Sequence, residues 1–318
     1  MVSSGISSVN ISVLIPLLNE RQSLEELYQG IVQEIQSLGF TYEILFIDDG
    51  SSDDSFEVIR NLQNRDSAVK GIRFRRNFGK SLALNEGFRH AKGDILITMD
   101  ADLQDDPKEI PRLIDKLNEG YDLVSGWKKK RKDPVLSKNL PSKLFNMMLR
   151  WGSGLKLHDF NCGFKAYRRS VVEKLHLYGE LHRFIPALVH AQGYKVTEIP
   201  VEHSSRRFGK SKFGLTRFSH GFFDFLTVIF LTKFLKRPMH FFGGLGSLIS
   251  AIGFLICGYL TCLWLLGEEI GHRPLLILGV LLIIVGMQMV TTGLVAEMVN
   301  YRHRSFNNEG IVAELLGC

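Results

Sequence analysis

The sequence lacks the features of small disulfide-bonded, zinc-binding or repeat proteins. Its 318 residues include four cysteines, Cys162, Cys257, Cys262 and Cys318, whose spacing fits neither a disulfide framework nor a zinc site. The N-terminus has no basic stretch followed by a long apolar core, so we expect no signal peptide. Internal repeats and low-complexity tracts are also missing. The chain is long enough for one large domain or two ordinary ones.

Charged residues are missing from two long stretches near the C-terminus. Residues 241–266 and 274–296 contain no charged side chain over 26 and 23 positions. Each stretch exceeds the roughly 20 residues that an α-helix needs to cross the hydrocarbon core of a bilayer. Two buried helices of a soluble protein are the alternative, but only GEEIGHR separates the stretches. The pattern therefore predicts a transmembrane helical hairpin with both outer ends on one side.

Positive charges around this hairpin predict its orientation. They precede the first stretch at Lys233, Lys236 and Arg237 and follow the second at Arg302, His303 and Arg304. Cytoplasmic segments of membrane proteins carry such an excess, so we expect the N-terminal part and the C-terminal tail in the cytoplasm. The net charge of +6 also suits an anionic membrane surface, a phosphate-bearing substrate or nucleic acid.

An aromatic segment, residues 213–238, leads into the hairpin. Its residues Phe218, Phe222, Phe225 and Ile229 fall at helical spacing and share one face. Charged residues interrupt the apolar run, which is typical of a helix lying at the membrane interface. A third transmembrane helix is the alternative, and it would move the C-terminus to the other side of the membrane.

The first 210 residues alternate between strand-like and helix-like patterns. The strand-like segments are VNISVLIP, YEILFIDD, GIRFRR, DILITMD and YDLVSGW, and amphipathic stretches separate them. Such alternation predicts an α/β domain with a mostly parallel, doubly wound sheet. Ligands of these sheets bind beyond the carboxyl ends of the strands, where this sequence places its acidic residues.

The segment ITMDADLQDDP ends a buried strand in four carboxylates. Asp100, Asp102, Asp105 and Asp106 would repel one another unless a metal ion, a cluster of Lys and Arg, or solvent offsets their charge. Two carboxylates flanking one small residue can share Mg²⁺ or Mn²⁺, which prefer oxygen ligands. The alternative is an acidic turn that caps the next helix, and we expect Asp105 and Asp106 to be that N-cap.

Three other segments are candidates for ligand binding. In IDDGSSDDS an Asp could accept a hydrogen bond from a nucleobase, although Asp and Gly are ordinary turn residues. SSRRFGKSKFG, residues 204–214, is either a phosphate-binding loop or a basic patch attracted to anionic lipid. In LHDFNCGFKAY, Asp159 is either a structural residue or part of a site.

These motifs, in this order, resemble those of the family 2 glycosyltransferases with the GT-A fold. The subgroup that the chain resembles most is the polyprenyl-phosphate sugar transferases, such as dolichol-phosphate mannosyltransferase and the bactoprenol glucosyltransferases. The resemblance rests on IPLLNE, IDDGSSD, RNFGKSLALNEGF, GDILITMDADLQDDP, DFNCGFKAYRR, RRFGKSKFG and the hairpin. It covers nearly the whole chain, and DADLQDDP together with RxxGxSK is its most specific part.

The resemblance implies roles for particular residues. Contacts with the base and ribose of the donor fall on Pro16, Leu18, Glu20, Ile47 and Asp49. Donor and metal contacts fall on Asp100, Ala101 and Asp102, with Gln104 completing the metal site. The catalytic residues would be Asp102, Asp159, Arg206 and Lys212, of which Arg206 and Lys212 also bind the phosphates of donor and acceptor. Lys128 stands where the family often has Arg, and Lys cannot make the planar bidentate contact of Arg.

The implied reaction is the inverting transfer of a hexose from a nucleotide sugar to a polyprenyl phosphate at the membrane. Because the FGK and DLQDDP motifs resemble those of the bactoprenol glucosyltransferases, we expect UDP-glucose as the donor and undecaprenyl phosphate as the acceptor. GDP-mannose is the alternative donor. A processive polysaccharide synthase is a second possible function, although QxxRW is missing, and a non-catalytic lipid-binding module is a third. We expect no nucleic-acid partner, and a homo-oligomer stays open.

The resemblance and the composition together predict four regions. Residues 1–210 would form the cytoplasmic GT-A catalytic domain, and residues 211–238 an interfacial helix region. Residues 239–304 would hold the two transmembrane helices, at about 241–266 and 274–296. Residues 305–318 would form a cytoplasmic tail.

Overall fold

The computed structural model describes residues 9–129, 146–147, 149–150, 152–204, 238–270 and 274–304. The chain divides into two compact units, Met1–Val228 and Ile229–Cys318. Arg206, Lys212, residues 211–237 of the predicted interfacial region and the predicted tail lie outside the described residues.

A seven-stranded sheet forms the centre of the first unit. Its strands are β1 Ile11–Leu17, β2 Tyr42–Asp48, β3 Val69–Arg73, β4 Ile95–Thr98, β5 Leu123–Lys128, β6 Lys165–Arg168 and β7 Val196–Val201. Their order across the sheet is β3-β2-β1-β4-β6-β5-β7. The pairs β2–β3, β1–β2, β1–β4 and β5–β7 are parallel, whereas β6 runs antiparallel to both β4 and β5. The carboxyl ends of the six other strands, and the first residue of β6, therefore lie along one edge.

Helices connect and cover these strands. They are α1 Leu24–Ser37, α2 Ser55–Arg65, α3 Lys80–His90, α4 Ile110–Asn118, α5 Arg169–Val172 and α6 Ile185–Ala191, with short 3₁₀ helices at Pro107–Glu109 and Leu181–Phe184. α4 shows why they form. Its buried residues Ile110, Leu113, Ile114 and Leu117 recur at helical spacing and join the core cluster under the sheet.

The predicted α/β architecture is confirmed, with two differences. β3 begins at Val69, two residues before the predicted strand, because Val69 is fully buried in the ladder with β2. β6 and β7 were not predicted. β6 has only four residues, and its strand conformation depends on antiparallel pairing with both neighbours, which local sequence does not encode.

Two long helices, α7 Pro238–Leu265 and α8 Pro274–Arg304, form the described part of the second unit. Both are long and apolar enough to cross a membrane. α8 continues past residue 296, where the apolar stretch was predicted to end. Its last turns carry charged residues, so the helix extends beyond the apolar stretch. Near that end the Glu297 carboxylate accepts a hydrogen bond from the Met239 N–H at the start of α7 (3.3 Å).

Glycines spaced seven residues apart bring α7 and α8 close together. A Cβ at Gly246 would lie 2.6 Å from the Gly286 carbonyl oxygen, and a Cβ at Gly253 would lie 2.7 Å from that of Gly279. Small residues permit such backbone contact between membrane helices. The hairpin is therefore packed by close backbone approach, while large residues such as Leu255 and Trp264 remain exposed on its outside.

Candidate active site

The acidic turn after β4 lies at the carboxyl edge of the sheet, as predicted. Lys80, the first residue of α3, forms an ion pair with the Asp100 carboxylate, and each side chain is 31% exposed. Behind Asp100 lies Gly163, where an added Cβ would be 2.7 Å from Asp100 Oδ2. The Gly163 carbonyl accepts a hydrogen bond from Thr98 Oγ1 (2.8 Å), so β4 itself holds this backing segment.

Nearby lysines determine the charge state of Asp100. Its partial burial favours the neutral acid and is the largest single influence on its pKa. The ammonium groups of Lys80, Lys128 and Lys165 together outweigh burial and lower the pKa of Asp100 below its usual value. Asp100 is therefore a carboxylate at neutral pH.

The remaining carboxylates of the turn have separate roles. Asp105 is 1% exposed and pairs with the Lys128 ammonium at 2.9 Å. Asp106 caps the 3₁₀ helix, its side chain accepting from the Lys108 N–H (3.0 Å). The prediction of a shared N-cap is thus right for Asp106 and wrong for Asp105, which is buried against the strand-end lysine instead.

Asp102 and Gln104 stand at the exposed side of the turn. Asp102 Oδ1 accepts a hydrogen bond from the Gln104 N–H (3.2 Å), and Gln104 exchanges hydrogen bonds with Ser204. Between them Leu103 has a φ of 58°, a left-handed conformation that costs a non-glycine residue about 1 to 3 kcal/mol. The hydrogen bonds of Asp102 and Gln104 hold the turn in this conformation.

The segment before β6 contributes two buried groups. Lys165 is 2% exposed and donates to the Cys162 carbonyl oxygen. Burial lowers the pKa of Lys165, and it raises the pKa of the Cys162 thiol to about 12. The thiol is therefore protonated at neutral pH, so Cys162 is a packing residue rather than a nucleophile.

The turn after β2 contains Asp49, predicted to contact the donor. Its two oxygens accept the N–H groups of Phe78 (2.7 Å) and Gly79 (2.9 Å), which precede α3. Burial raises the pKa of Asp49 despite these hydrogen bonds. Asp49 thus positions the start of the helix that carries Lys80. Gly50 packs against this segment with a φ of 77°, and a Cβ there would lie 2.4 Å from the Arg76 backbone.

The other predicted donor contacts lie near the ends of β1, β2 and β4. Pro16, Leu18 and Glu20 are half-buried, and Ala101 is 4% exposed. Ile47 is fully buried, with its side chain beside Gly87 of α3, so only its main chain could meet a ligand. An open depression of about 370 Å³ lies beside these strand ends, lined by Gly50, Ser51, Arg73, Phe74 and Arg75.

Asp159 is buried and lies on a loop organised by Glu198 of β7. Glu198 accepts the N–H groups of His158 (2.8 Å) and Asp159 (3.3 Å) and pairs with the His158 ring. Asp159 Oδ1 accepts the Asn161 N–H (3.2 Å). The Asp159 carboxylate also contributes to raising the pKa values of Lys165 and Cys162, although burial is the larger influence on both.

A buried histidine also adjoins the start of α3. Ser81 Oγ accepts the His182 N–H (3.1 Å) and contacts His182 Nδ1 (3.0 Å). Burial, followed by the charges of Lys80 and Arg183, lowers the pKa of His182 well below its usual value. His182 is therefore neutral at neutral pH.

Sequence reasoning missed several residues of this site. Lys80, Gly163 and Lys165 lie in motifs that carried the family resemblance, RNFGK and CGFK, but no role was assigned to them. His182 lay in a segment without a recognised motif. Two features of the sequence could have indicated these lysines. Gly79 and Lys80 stand at the start of a predicted helix, and Lys165 follows the apolar residue Phe164.

The oxygen ligands present suit a divalent cation only in part. Within the described ranges no group of three or more His, Cys, Asp or Glu side chains could hold a metal ion alone. Mg²⁺, however, commonly uses one or two carboxylates together with substrate phosphates and water. Asp100, Asp102 and Gln104 together fit this pattern, and Asp100 also pairs with Lys80.

The similarity of the chain to a known protein family identifies the class of protein that this sheet and site define. The sequence pattern of glycosyl transferase family 2 matches residues 12–176, which include β1 to β6 and the acidic turn. The chain belongs to this family, and it is a glycosyltransferase with a GT-A fold.

Two curated relatives match along most of the chain. The chain is 38% identical over 299 residues to dodecaprenyl-phosphate galacturonate synthase of Rhizobium johnstonii, covering 92% of this chain and 88% of that protein. It is 37% identical over 292 residues to undecaprenyl-phosphate 4-deoxy-4-formamido-L-arabinose transferase of Salmonella paratyphi B, covering 91% and 88%. Both names specify a polyprenyl phosphate, and neither specifies glucose.

A solved structure shares the fold. Glucosyl-3-phosphoglycerate synthase of Mycobacterium tuberculosis, in complex with Mn²⁺, UDP and phosphoglyceric acid, superposes with a TM-score of 0.52 at 18% identity. The match covers 70% of this chain and 78% of that one. At this identity the likeness concerns the fold alone.

Proposed function

We propose that this glycosyltransferase moves a sugar from a nucleotide donor to a polyprenyl phosphate, with inversion at the anomeric carbon. The observation that carries the proposal is the acidic turn at the carboxyl edge of the sheet, with Lys80, Lys128 and Lys165 around Asp100. Anionic phosphates would meet both counter-charge and metal ligands there. The two apolar helices and the names of the relatives support a lipid acceptor.

The proposed metal ion is Mg²⁺ or Mn²⁺, held by Asp100, Asp102 and Gln104. When bound, it would neutralise charge that builds on the departing diphosphate. The choice of ion rests on these oxygen ligands, which Mg²⁺ and Mn²⁺ prefer. The chain's own contribution is the turn at Leu103, whose left-handed conformation sets the path of the backbone between Asp102 and Gln104.

The acceptor phosphate needs little help from a base. A phosphomonoester has a second pKa of about 6, so its oxygen is largely anionic at neutral pH. The main difficulty is the repulsion between two phosphorylated substrates. We assign its relief to Arg206 and Lys212, which stay predictions outside the described residues, together with the lysines near Asp100. Asp159 would orient the acceptor or take its residual proton.

The donor sugar is proposed to be of the galacturonate or 4-deoxy-4-formamido-L-arabinose type. The prediction of UDP-glucose has no support from the relatives, whose names carry these other sugars at 38% and 37% identity. The nucleotide of the donor would be a uridine or guanosine diphosphate.

The two apolar helices would anchor the enzyme in the bacterial cell membrane, with the catalytic domain of residues 1–210 on the cytoplasmic side. Cations that flank both outer ends of the hairpin support this orientation. Nucleotide sugars would then reach the site from the cytoplasm, while the lipid phosphate arrives at the membrane surface.

A transfer assay tests the proposal. The full chain, reconstituted in phospholipid vesicles with undecaprenyl phosphate, is offered nucleotide derivatives of galacturonate, 4-deoxy-4-formamido-L-arabinose, glucose and mannose. We expect one of the first two to give a lipid-linked monosaccharide, with transfer abolished by EDTA. A polymeric product would favour a processive synthase, and no product from any donor would contradict the proposal.

A further inference from the structure

Lys80 holds a position that a bound metal ion would also need. Its ammonium lies on Asp100 Oδ1, and the same carboxylate is a predicted metal ligand. Two cations cannot share one carboxylate oxygen at contact distance without strong repulsion. A divalent ion that coordinates Oδ1 must therefore displace Lys80, and an ion on the neighbouring Oδ2 would still be repelled by the nearby ammonium.

The other two lysines of the site are committed elsewhere. Lys128 is 12% exposed and pairs with Asp105, and Lys165 is almost fully buried on the Cys162 carbonyl. Lys80 differs from both, since nearly a third of its side chain is exposed. A long, partly exposed lysine can move its ammonium by rotamer changes at little cost.

Asp100 itself has little freedom to move away. Gly163 packs against the carboxylate so closely that an added Cβ would lie 2.7 Å from Oδ2. β4 holds Gly163 in turn through the hydrogen bond from Thr98. The lysine, rather than the carboxylate, is therefore the mobile partner of the pair.

The diphosphate of a nucleotide donor would give Lys80 a stronger partner than Asp100. A diphosphate carries several negative charges, and Lys makes point-charge contacts with phosphates. Lys80 stands at the N-terminus of α3, where the helix dipole also favours an anion. Movement of the ammonium from Asp100 to a phosphate oxygen would leave Asp100 open to the metal.

We propose that Lys80 is a donor-binding residue that occupies Asp100 until a diphosphate arrives, so that nucleotide and divalent metal bind cooperatively. The inference rests on the proposed function for the nature of the donor. The inference adds that the metal ion binds weakly in the absence of nucleotide, because Asp100 is already paired with Lys80. Nucleotide binding would then release Asp100 to coordinate the metal.

The test measures binding rather than transfer. The full chain in detergent micelles is titrated with Mn²⁺, and free Mn²⁺ is followed by its electron paramagnetic resonance signal. The titration is repeated with UDP and, in parallel, with GDP. The variants are Lys80→Met, Lys80→Gln and Lys80→Arg, and Lys116→Met is the matched control. This control removes the same charge from Lys116, which lies on α4 in a partly exposed ion pair with Glu119. Thermal unfolding identifies the variants that fold, and these are compared.

Loss of the Lys80 charge should raise the affinity for Mn²⁺ alone and lower the affinity for nucleotide. Lys80→Met and Lys80→Gln should bind Mn²⁺ alone about tenfold more tightly, while nucleotide affinity at saturating Mn²⁺ falls about tenfold, in the usual range of site-to-site coupling. Lys80→Arg should keep most of the wild-type cooperativity, and Lys116→Met should match wild type.

Two outcomes would overturn the inference. Unchanged or weaker Mn²⁺ binding by the folded neutral variants would show that Lys80 does not compete for Asp100. Unchanged nucleotide affinity would show that Lys80 does not pass to the diphosphate. Failure of the proposed function would instead appear in the wild-type chain, as absent transfer to undecaprenyl phosphate, whatever the Lys80 variants do.

Discussion

Substitution of Gly163 by alanine should disturb the acidic turn without removing any charged group. A Cβ at this position would lie 2.7 Å from Asp100 Oδ2 and 2.8 Å from both Cγ and Oδ1. Ordinary van der Waals contact begins roughly 0.7 Å further out, so either the carboxylate or the segment before β6 must shift. The segment is held by Thr98 and by the start of β6, which makes the carboxylate the part that moves.

The expected magnitude follows from this displacement. Overpacking of a buried site typically costs about 1 to 3 kcal/mol in stability. Misplacement of a catalytic group by about 1 Å can cost about a hundredfold in rate, so Gly163→Ala should lower kcat by roughly tenfold to a hundredfold. The Mn²⁺ concentration for half-maximal rate should rise as well, because Asp100 borders the proposed metal site.

The assay compares kcat, metal dependence and unfolding midpoint of Gly163→Ala with those of wild type. Gly258→Ala is the control, since a Cβ at that glycine meets nothing within 4 Å. Wild-type kcat and metal dependence in folded Gly163→Ala would refute the reasoning that Gly163 fixes Asp100. A loss of stability with normal kinetics per folded molecule would show that the contact is only a packing constraint.

The remaining predictions concern the metal, the topology and the basic loop. Asp102→Asn should cut turnover severely while leaving the unfolding midpoint near wild type, and full activity in excess EDTA would exclude metal dependence. A cysteine introduced by Glu268→Cys, in a chain without its native cysteines, should react with an impermeant reagent applied to intact cells; protection would contradict the proposed orientation. Arg206→Ala should reduce transfer far more than Arg217→Ala, and equal losses would mean that residues 204–214 only attract anionic lipid.

The periodicity of the sequence was sufficient for the elements whose cause is local. α1 and α4 follow from apolar residues at helical spacing, and α1 ends near Gly39, whose φ is 70°. The parallel strands β1, β2 and β4 are mostly apolar and almost entirely buried, as expected for strands covered on both faces. The two apolar helices are apparent from length and lack of charge alone.

Strands that depend on distant partners were not predictable. β6 becomes a strand because β4 and β5 pair with it on both sides, and β7 because β5 pairs with it in parallel. Neither has a local pattern strong enough to specify its conformation. The contact between Gly163 and Asp100 depends on this pairing and could not be inferred before it.

The acidic turn shows most clearly which features depend on local sequence and which depend on tertiary structure. The sequence by itself determined that four carboxylates follow a buried strand, and their composition indicated phosphate and metal chemistry. Only the tertiary structure decided which charge offsets each one. Lys80 precedes Asp100 by 20 residues and Lys128 follows Asp105 on another strand, and both arrive at the turn because the sheet gathers the ends of separate segments at one edge. Charge pairing over such separations depends on the packing of the whole sheet, and local sequence carries no information about it.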